Sequence, residues 1–413
     1  MMTNKTSLPR PSPAGRPWQP RWRPSFAGAG SSMPRRVARL GFCFATVGAL
    51  LLLLMSAELS AVLTEPGAAD AKVDVGDLPS ITEDATCADW AAWIPRRSDP
   101  AVVMQVVSED YIPIQRNFIR LMERNSSFNR HNLYLICVDH ASQSFFEKHM
   151  GVRCVPMSAL HLPTHEEIWK LRVRVLSCLV AGGVDVIMSD ADALWLNDPA
   201  RELFYGSSSR SGGGGGDHGR RTLSVVDVFG RGGGDGGRRM ARAAREAWGG
   251  VGDSDVVASR GAFPFELGEA WGTTMCMGFI LFRAKNAAEM AAFLRVVEDL
   301  VLKTEDDQVS LNQAAAQLGI VWDVGGDMRY EQSTGYGMGV IPAASIAATD
   351  GGGEGLPLTV TLLPHSTYTR RCEQTPVSSA RTVVAHCFFP EKLASVKTSW
   401  MEKLNLWSVN ADP

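Results

Sequence analysis

From residue 101 onward, short apolar runs alternate with segments whose apolar residues recur at helical spacing. This alternation limits the fold more than any other feature of the sequence. Residues 101–107, 133–138, 152–157 and 184–188 read as strands. Residues 112–123 and 166–181 read as helices, the second carrying Ile168, Leu171, Val175 and Leu179 on one face. Strands and helices in alternation predict an α/β sandwich around a largely parallel sheet. In such sheets ligands gather beyond the carboxyl ends of the strands. The fourth strand run ends there in Ser189-Asp190-Ala191-Asp192.

The chemistry of that strand end is specific. In extended backbone the first and third side chains of Asp190-Ala191-Asp192 point to one side. Two carboxylates side by side suit a hard divalent cation. Such a cation placed against a diphosphate neutralises charge on a leaving group. Asp198, just before Pro199, reads instead as a turn or helix cap.

The part of the chain before residue 100 differs. Residues 1–39 hold eight basic residues and no acid, leaving 33 basic against 44 acidic residues in the rest, a net −11. The overall −3 does not suggest a nucleic-acid binder. Residues 40–57 form an uncharged apolar run of 18 residues, extendable to 63. As a helix it would span about 27 Å, near the thickness of a bilayer core. The basic flank precedes it, so the positive-inside rule puts the amino terminus in the cytosol and the remainder in a lumen. We expect a cytosolic tail (1–39), a transmembrane signal anchor (40–63), a stem (64–99) and one folded domain (100–407). A cleaved signal peptide, a plastid or mitochondrial transit peptide and a buried core helix are the competing readings.

Eight cysteines are present and none is spaced as a zinc pair. Cys43 lies in the apolar run; the remaining seven are an odd number, so at least one is unpaired within the chain. Disulfides suit a lumenal setting, and the apolar contexts of Cys137 and Cys178 read as buried thiols. Asn125-Ser126-Ser127 is a glycosylation sequon. Gly-rich stretches at 206–219, 230–237 and 351–355 lack a phosphate-loop context and read as surface insertions.

The run Trp169-Lys170-Leu171-Arg172, then 182–199 (GGVDVIMSDADALWLNDP), resembles the nucleotide-diphospho-sugar transferase family, which includes glycosyltransferase family 77. Three later segments continue the resemblance: 277–283 (MGFILFR), 306–312 (DDQVSLN) and 383–387 (VVAHC) with Lys392. The resemblance implies a GT-A, Rossmann-like catalytic domain with a mostly parallel central sheet. It implies a hexosyl- or pentosyltransferase using a nucleoside diphosphate sugar, expected to be a UDP-sugar, with retention at the anomeric carbon. The acceptor would be a glycan or glycoprotein, and the setting a single-pass type II Golgi membrane protein.

Carried over residue by residue, Asp190, Asp192 and His386 would bind a divalent metal, Mn²⁺ or Mg²⁺. Asp190, Arg172 and Lys392 would meet the donor, with Lys170 or Arg174 as alternatives to Arg172. Asp307 and Gln308 would face the anomeric carbon, and the stretch 105–110 would meet the base. Trp271 and Tyr336 read as core aromatics before acceptor platforms. One departure is visible: Cys276 or Met277 stands where the family has an Asn before its Gly-Phe pair. A non-catalytic nucleotide-sugar binder of the same fold is the alternative expectation.

Overall fold

The computed structural model describes residues 81–409 except 83–84, 96–98, 158–163, 206–249, 324–326, 331–332, 350–354, 374–376, 379 and 390–392. The expected tail, the anchor and two Gly-rich insertions lie outside the described residues, as does the third insertion apart from Gly355. Among the described residues no helix is long and apolar enough to cross a membrane.

Twelve strands are described. They are β1 (Val102–Val107), β2 (Leu133–Cys137), β3 (Cys154–Pro156), β4 (Val186–Ser189), β5 (Ala193–Trp195), β6 (Val256–Gly261), β7 (Thr274–Phe282), β8 (Val321–Trp322), β9 (Gly337–Ile341), β10 (Leu358–Leu362), β11 (Tyr368–Thr369) and β12 (Val384–His386). Nine form one sheet in the order β3-β2-β1-β4-β7-β6-β10-β9-β8; the others form a small sheet, β11-β12-β5.

Of the nine strands seven run in one direction, as a mostly parallel sheet requires, and two, β7 and β9, are reversed. β7 runs antiparallel to both β4 and β6, and β9 to both β10 and β8, so half of the sheet's ladders are antiparallel. The reversed strand β7 is apolar on both faces, as a central parallel strand is, so its direction is not written in its composition.

Alternating side chains of the strands feed two cores. Val102, Met104, Val186 and Met188 pack with Leu171, Val175 and Leu179 of the helix His165–Ala181 and with the helix Ala287–Thr304. Val103, Val107, Leu133 and Leu135 pack on the other side with Ile114 and Phe118 of the helix Ile112–Asn125. Helices on both faces of one sheet give the expected three layers. The helix His165–Ala181 starts in a capping box, Thr164 with Glu167.

The described part of the segment expected as a stem contributes to the core. Ile81, Trp90 and Trp93 belong to the first core, and the Tyr134 hydroxyl donates to Trp90 O. Cys87 is bonded to Cys178, and Cys137 to Cys154, so neither Cys137 nor Cys178 is the buried thiol expected. Pairing of β2 with β3 brings the second couple together; the short helix Cys87–Ala91, lying on the helix His165–Ala181, brings the first. Cys372–Cys387 is a third bond, and Cys276 is free and buried. In the sequon, the Asn125 side-chain amide donates to Trp195 O at 3.0 Å and is thereby held by the main chain.

Candidate active site

Two sheets meet at the Asp-x-Asp turn. β4 of the large sheet ends at Ser189, the chain turns through Asp190–Asp192, and β5 begins the small sheet at Ala193. β12 pairs with β5 so that His386 lies opposite Ala193. This register carries the imidazole to carboxylates that are distant in sequence. One ligand atom each from Asp190, Asp192 and His386 lie within 4.8 Å of one another. His386 Nε2 is 3.5 Å from Asp190 Oδ2 and 3.5 Å from Asp192 Oδ1.

β7 makes this convergence possible. Its pairing with β6 shifts register between Ala258 and Ser259: Ala258 faces Ile280 while Ser259 faces Cys276. Such a bulge re-aims side chains beside it. Gly278 lies in it, and its carbonyl accepts from Asp190 N at 2.8 Å. The His386 ring rests against the Gly278 Cα: a Cβ there would overlap the ring and stand 2.6 Å from Asp190 Oδ2. The bulge also resolves the departure noted in the sequence. Met277 packs into a core, while Cys276 faces the site, its Sγ 3.7 Å from His386 Nδ1.

Three cations surround these groups. Arg172, its side chain 11% exposed, pairs with Asp190 Oδ1 at 2.9 Å and lies 3.5 Å from Asp307 Oδ2, joining two of the expected site residues. Arg174 instead donates to Ala85 O, which leaves Arg172 as the site's arginine on this helix. Lys397 pairs with Asp192 Oδ2 at 2.6 Å and stands over the Tyr111 ring. Arg370 donates to Cys276 Sγ at 2.6 Å. Sequence reasoning missed Lys397 and Arg370; Lys392, the lysine expected there, lies outside the described residues. The one signal for Lys397 was its place in the first turn of a helix (Ala394–Lys403) shortly after the His386 strand.

Burial and charge set the protonation of the site. Burial alone would raise the Asp192 carboxyl, but His386 and Lys397 hold it far below the usual range. Burial and Arg370 push His386 down; hydrogen bonds to Asp192 and Cys276 outweigh them and leave it at about 9. Asp307 is raised to about 6, chiefly by burial, against the pull of Arg172. Its Oδ2 makes no hydrogen bond, so Arg172 compensates it by charge alone.

The remaining expected residues fall as follows. Asp306, not Asp307, caps the helix Asp307–Gln317, which frees the Asp307 side chain to point at Arg172. Gln308 donates to Phe263 O at 2.6 Å, at the rim formed by the β6–β7 connection. Asp198 is a helix cap, accepting from Ala200 N. Trp271 packs against Trp322, and the Tyr336 hydroxyl donates to Glu202. In the stretch 105–110, Gln105 is buried and bonded to Gln115.

Two carboxylates and one imidazole are a donor set for a hard or borderline divalent cation. Asp192 and His386 are buried, whereas the Asp190 side chain is 34% exposed, so the group opens to solvent on the Asp190 side.

Comparison with solved structures gives low likenesses. The bifunctional glycosyltransferase WbbM is 13% identical over 52% of this chain and 37% of its own, with a TM-score of 0.29. The glycosyltransferase GlyE of Streptococcus pneumoniae TIGR4 is 12% identical over 76% and 65%, with a TM-score of 0.32. Mouse xyloside xylosyltransferase 1 is 10% identical over 52% and 81%, with a TM-score of 0.26. The chain thus spans less than two thirds of the first two proteins. No curated protein matches the sequence. The sequence model of nucleotide-diphospho-sugar transferases matches residues 129–394, well over half of the chain. That span holds Arg172, Asp190, Asp192, Cys276, Asp307, Arg370 and His386, and stops just short of Lys397. The chain therefore belongs to the nucleotide-diphospho-sugar transferase family.

Proposed function

We propose that the chain transfers a sugar from a UDP-sugar to a glycan or glycoprotein acceptor in a metal-dependent reaction. The observation that carries this reading is the convergence of Asp190, Asp192 and His386 at the junction of the two sheets. These three residues would hold Mn²⁺ or Mg²⁺, which when bound supplies positive charge to the departing diphosphate. Arg172 holds Asp190 and Asp307 in one frame, so metal-binding and sugar-facing carboxylates are positioned together. Lys397 fixes the buried Asp192 carboxylate from behind. Asp307, desolvated and aimed by Arg172, stabilises positive charge developing at the anomeric carbon. Retention at that carbon is part of the proposal, on the family resemblance.

We place the reaction in the Golgi lumen, with the chain anchored by residues 40–63. Three disulfides among the described residues support an oxidising compartment. A second reading, a binder without turnover, is favoured by Cys276 at the site where the family resemblance expects Asn. The deciding experiment is a screen of nucleoside diphosphate sugars for transfer or donor hydrolysis with Mn²⁺. Turnover of one donor supports transfer. Metal-dependent UDP binding with no turnover of any donor supports the second reading.

A further inference from the structure

Three nitrogens converge on one buried sulfur. Cys276 Sγ lies 2.6 Å from Arg370 Nη1, 3.4 Å from the Gly278 amide nitrogen and 3.7 Å from His386 Nδ1. A histidine meets a metal through one ring nitrogen, and the hydrogen bond made by the other sets which one. Here the ring's other nitrogen, Nε2, is the one 3.5 Å from both carboxylates.

We propose that Cys276 is a positioning residue: its sulfur accepts the His386 Nδ1–H and thereby turns Nε2 toward Asp190 and Asp192. Arg370 and the Gly278 amide fix the sulfur from two other directions, so it acts as a stationary acceptor. Gly278 leaves the ring a seat on bare backbone, and Cys276, two residues earlier on the same strand, determines how the ring is turned in that seat. The inference rests on the metal-binding reading of the site.

The test is calorimetric titration of the full chain with Mn²⁺ alone, at one neutral pH, with thermal denaturation of each variant as the folding control. Cys276→Ala removes the acceptor and should weaken Mn²⁺ binding about 10–100-fold. Cys276→Ser and Cys276→Asn keep an acceptor and should bind close to wild type. If Cys276→Ala does not fold, Cys276→Val, nearer in volume, takes its place in the comparison. Wild-type affinity in the variant without an acceptor overturns the proposal. Equal weakening in the serine and asparagine variants also overturns it, because packing of the sulfur would then be what matters. Failure of the wild-type chain itself to bind Mn²⁺ overturns the metal-binding reading, and this inference with it.

Discussion

Gly278→Ala puts the site's geometry to a sharp test. The added Cβ would lie 2.5 Å from His386 Nδ1 and 2.6 Å from Asp190 Oδ2, and it would overlap His386 Cε1. Ordinary van der Waals contact begins at 3.4 Å. The carboxylate must therefore retreat by about 1 Å and the imidazole by more, and a misplacement of about 1 Å can lower a rate about 100-fold. Overpacking of this kind also lowers stability by about 1–3 kcal/mol. Gly151→Ala is the matched control. Gly151 has φ +61°, and the added methyl carbon would meet nothing within 4 Å. Its substitution therefore strains backbone alone, by about 1–2 kcal/mol. The assay pairs donor turnover with thermal denaturation. Gly151→Ala should lose stability and keep activity; Gly278→Ala should lose both stability and activity. A Gly278→Ala variant with wild-type turnover would refute the placement of His386 over that glycine.

Other consequences follow from the site and from the surrounding fold. Asp307 is raised to about 6, so turnover should rise with pH through that region as the carboxylate forms, and Asp307→Asn should lower turnover by about 100-fold or more. Because its folded pKa is raised, the Asp307 contribution to stability is fully present below its unfolded value and is lost as pH climbs through about 6. His365 behaves in the opposite sense: buried and pushed down to about 4, it favours the fold above its unfolded value of 6.5, and that contribution is lost as pH falls toward 4. The loss is roughly 3 kcal/mol, and thermal denaturation of wild type against His365→Phe across this range should show it. Cys87→Ser opens a bond between residues 91 apart and should destabilise the fold by about 4 kcal/mol, read from denaturant titration.

Much of the site is legible in the sequence because its parts are local. The Asp pair terminates an apolar strand, and His386 terminates another, so each advertises itself within a few residues. Their meeting depends on the β5–β12 register, which no local pattern encodes. The same holds for Lys397: its helix starts shortly after His386, and only the packed structure shows it reaching Asp192. The capping role of Asp306 is a local device, which is why it can be separated from Asp307 at all. The tie of Asp307 to Asp190 through Arg172 is a three-body contact between a helix, a turn and a second helix. In the fold, the direction of β7 is hidden by burial on both faces. The packing of Ile81, Trp90 and Trp93 is hidden because these residues stand out only once the core they enter is known.

The most direct test of the central claim is donor turnover by the full chain with Mn²⁺, with a chelator, and in Asp192→Ala. Metal-dependent transfer requires turnover in the first case and its loss in the other two. Equal turnover with chelator, or in Asp192→Ala, would contradict it.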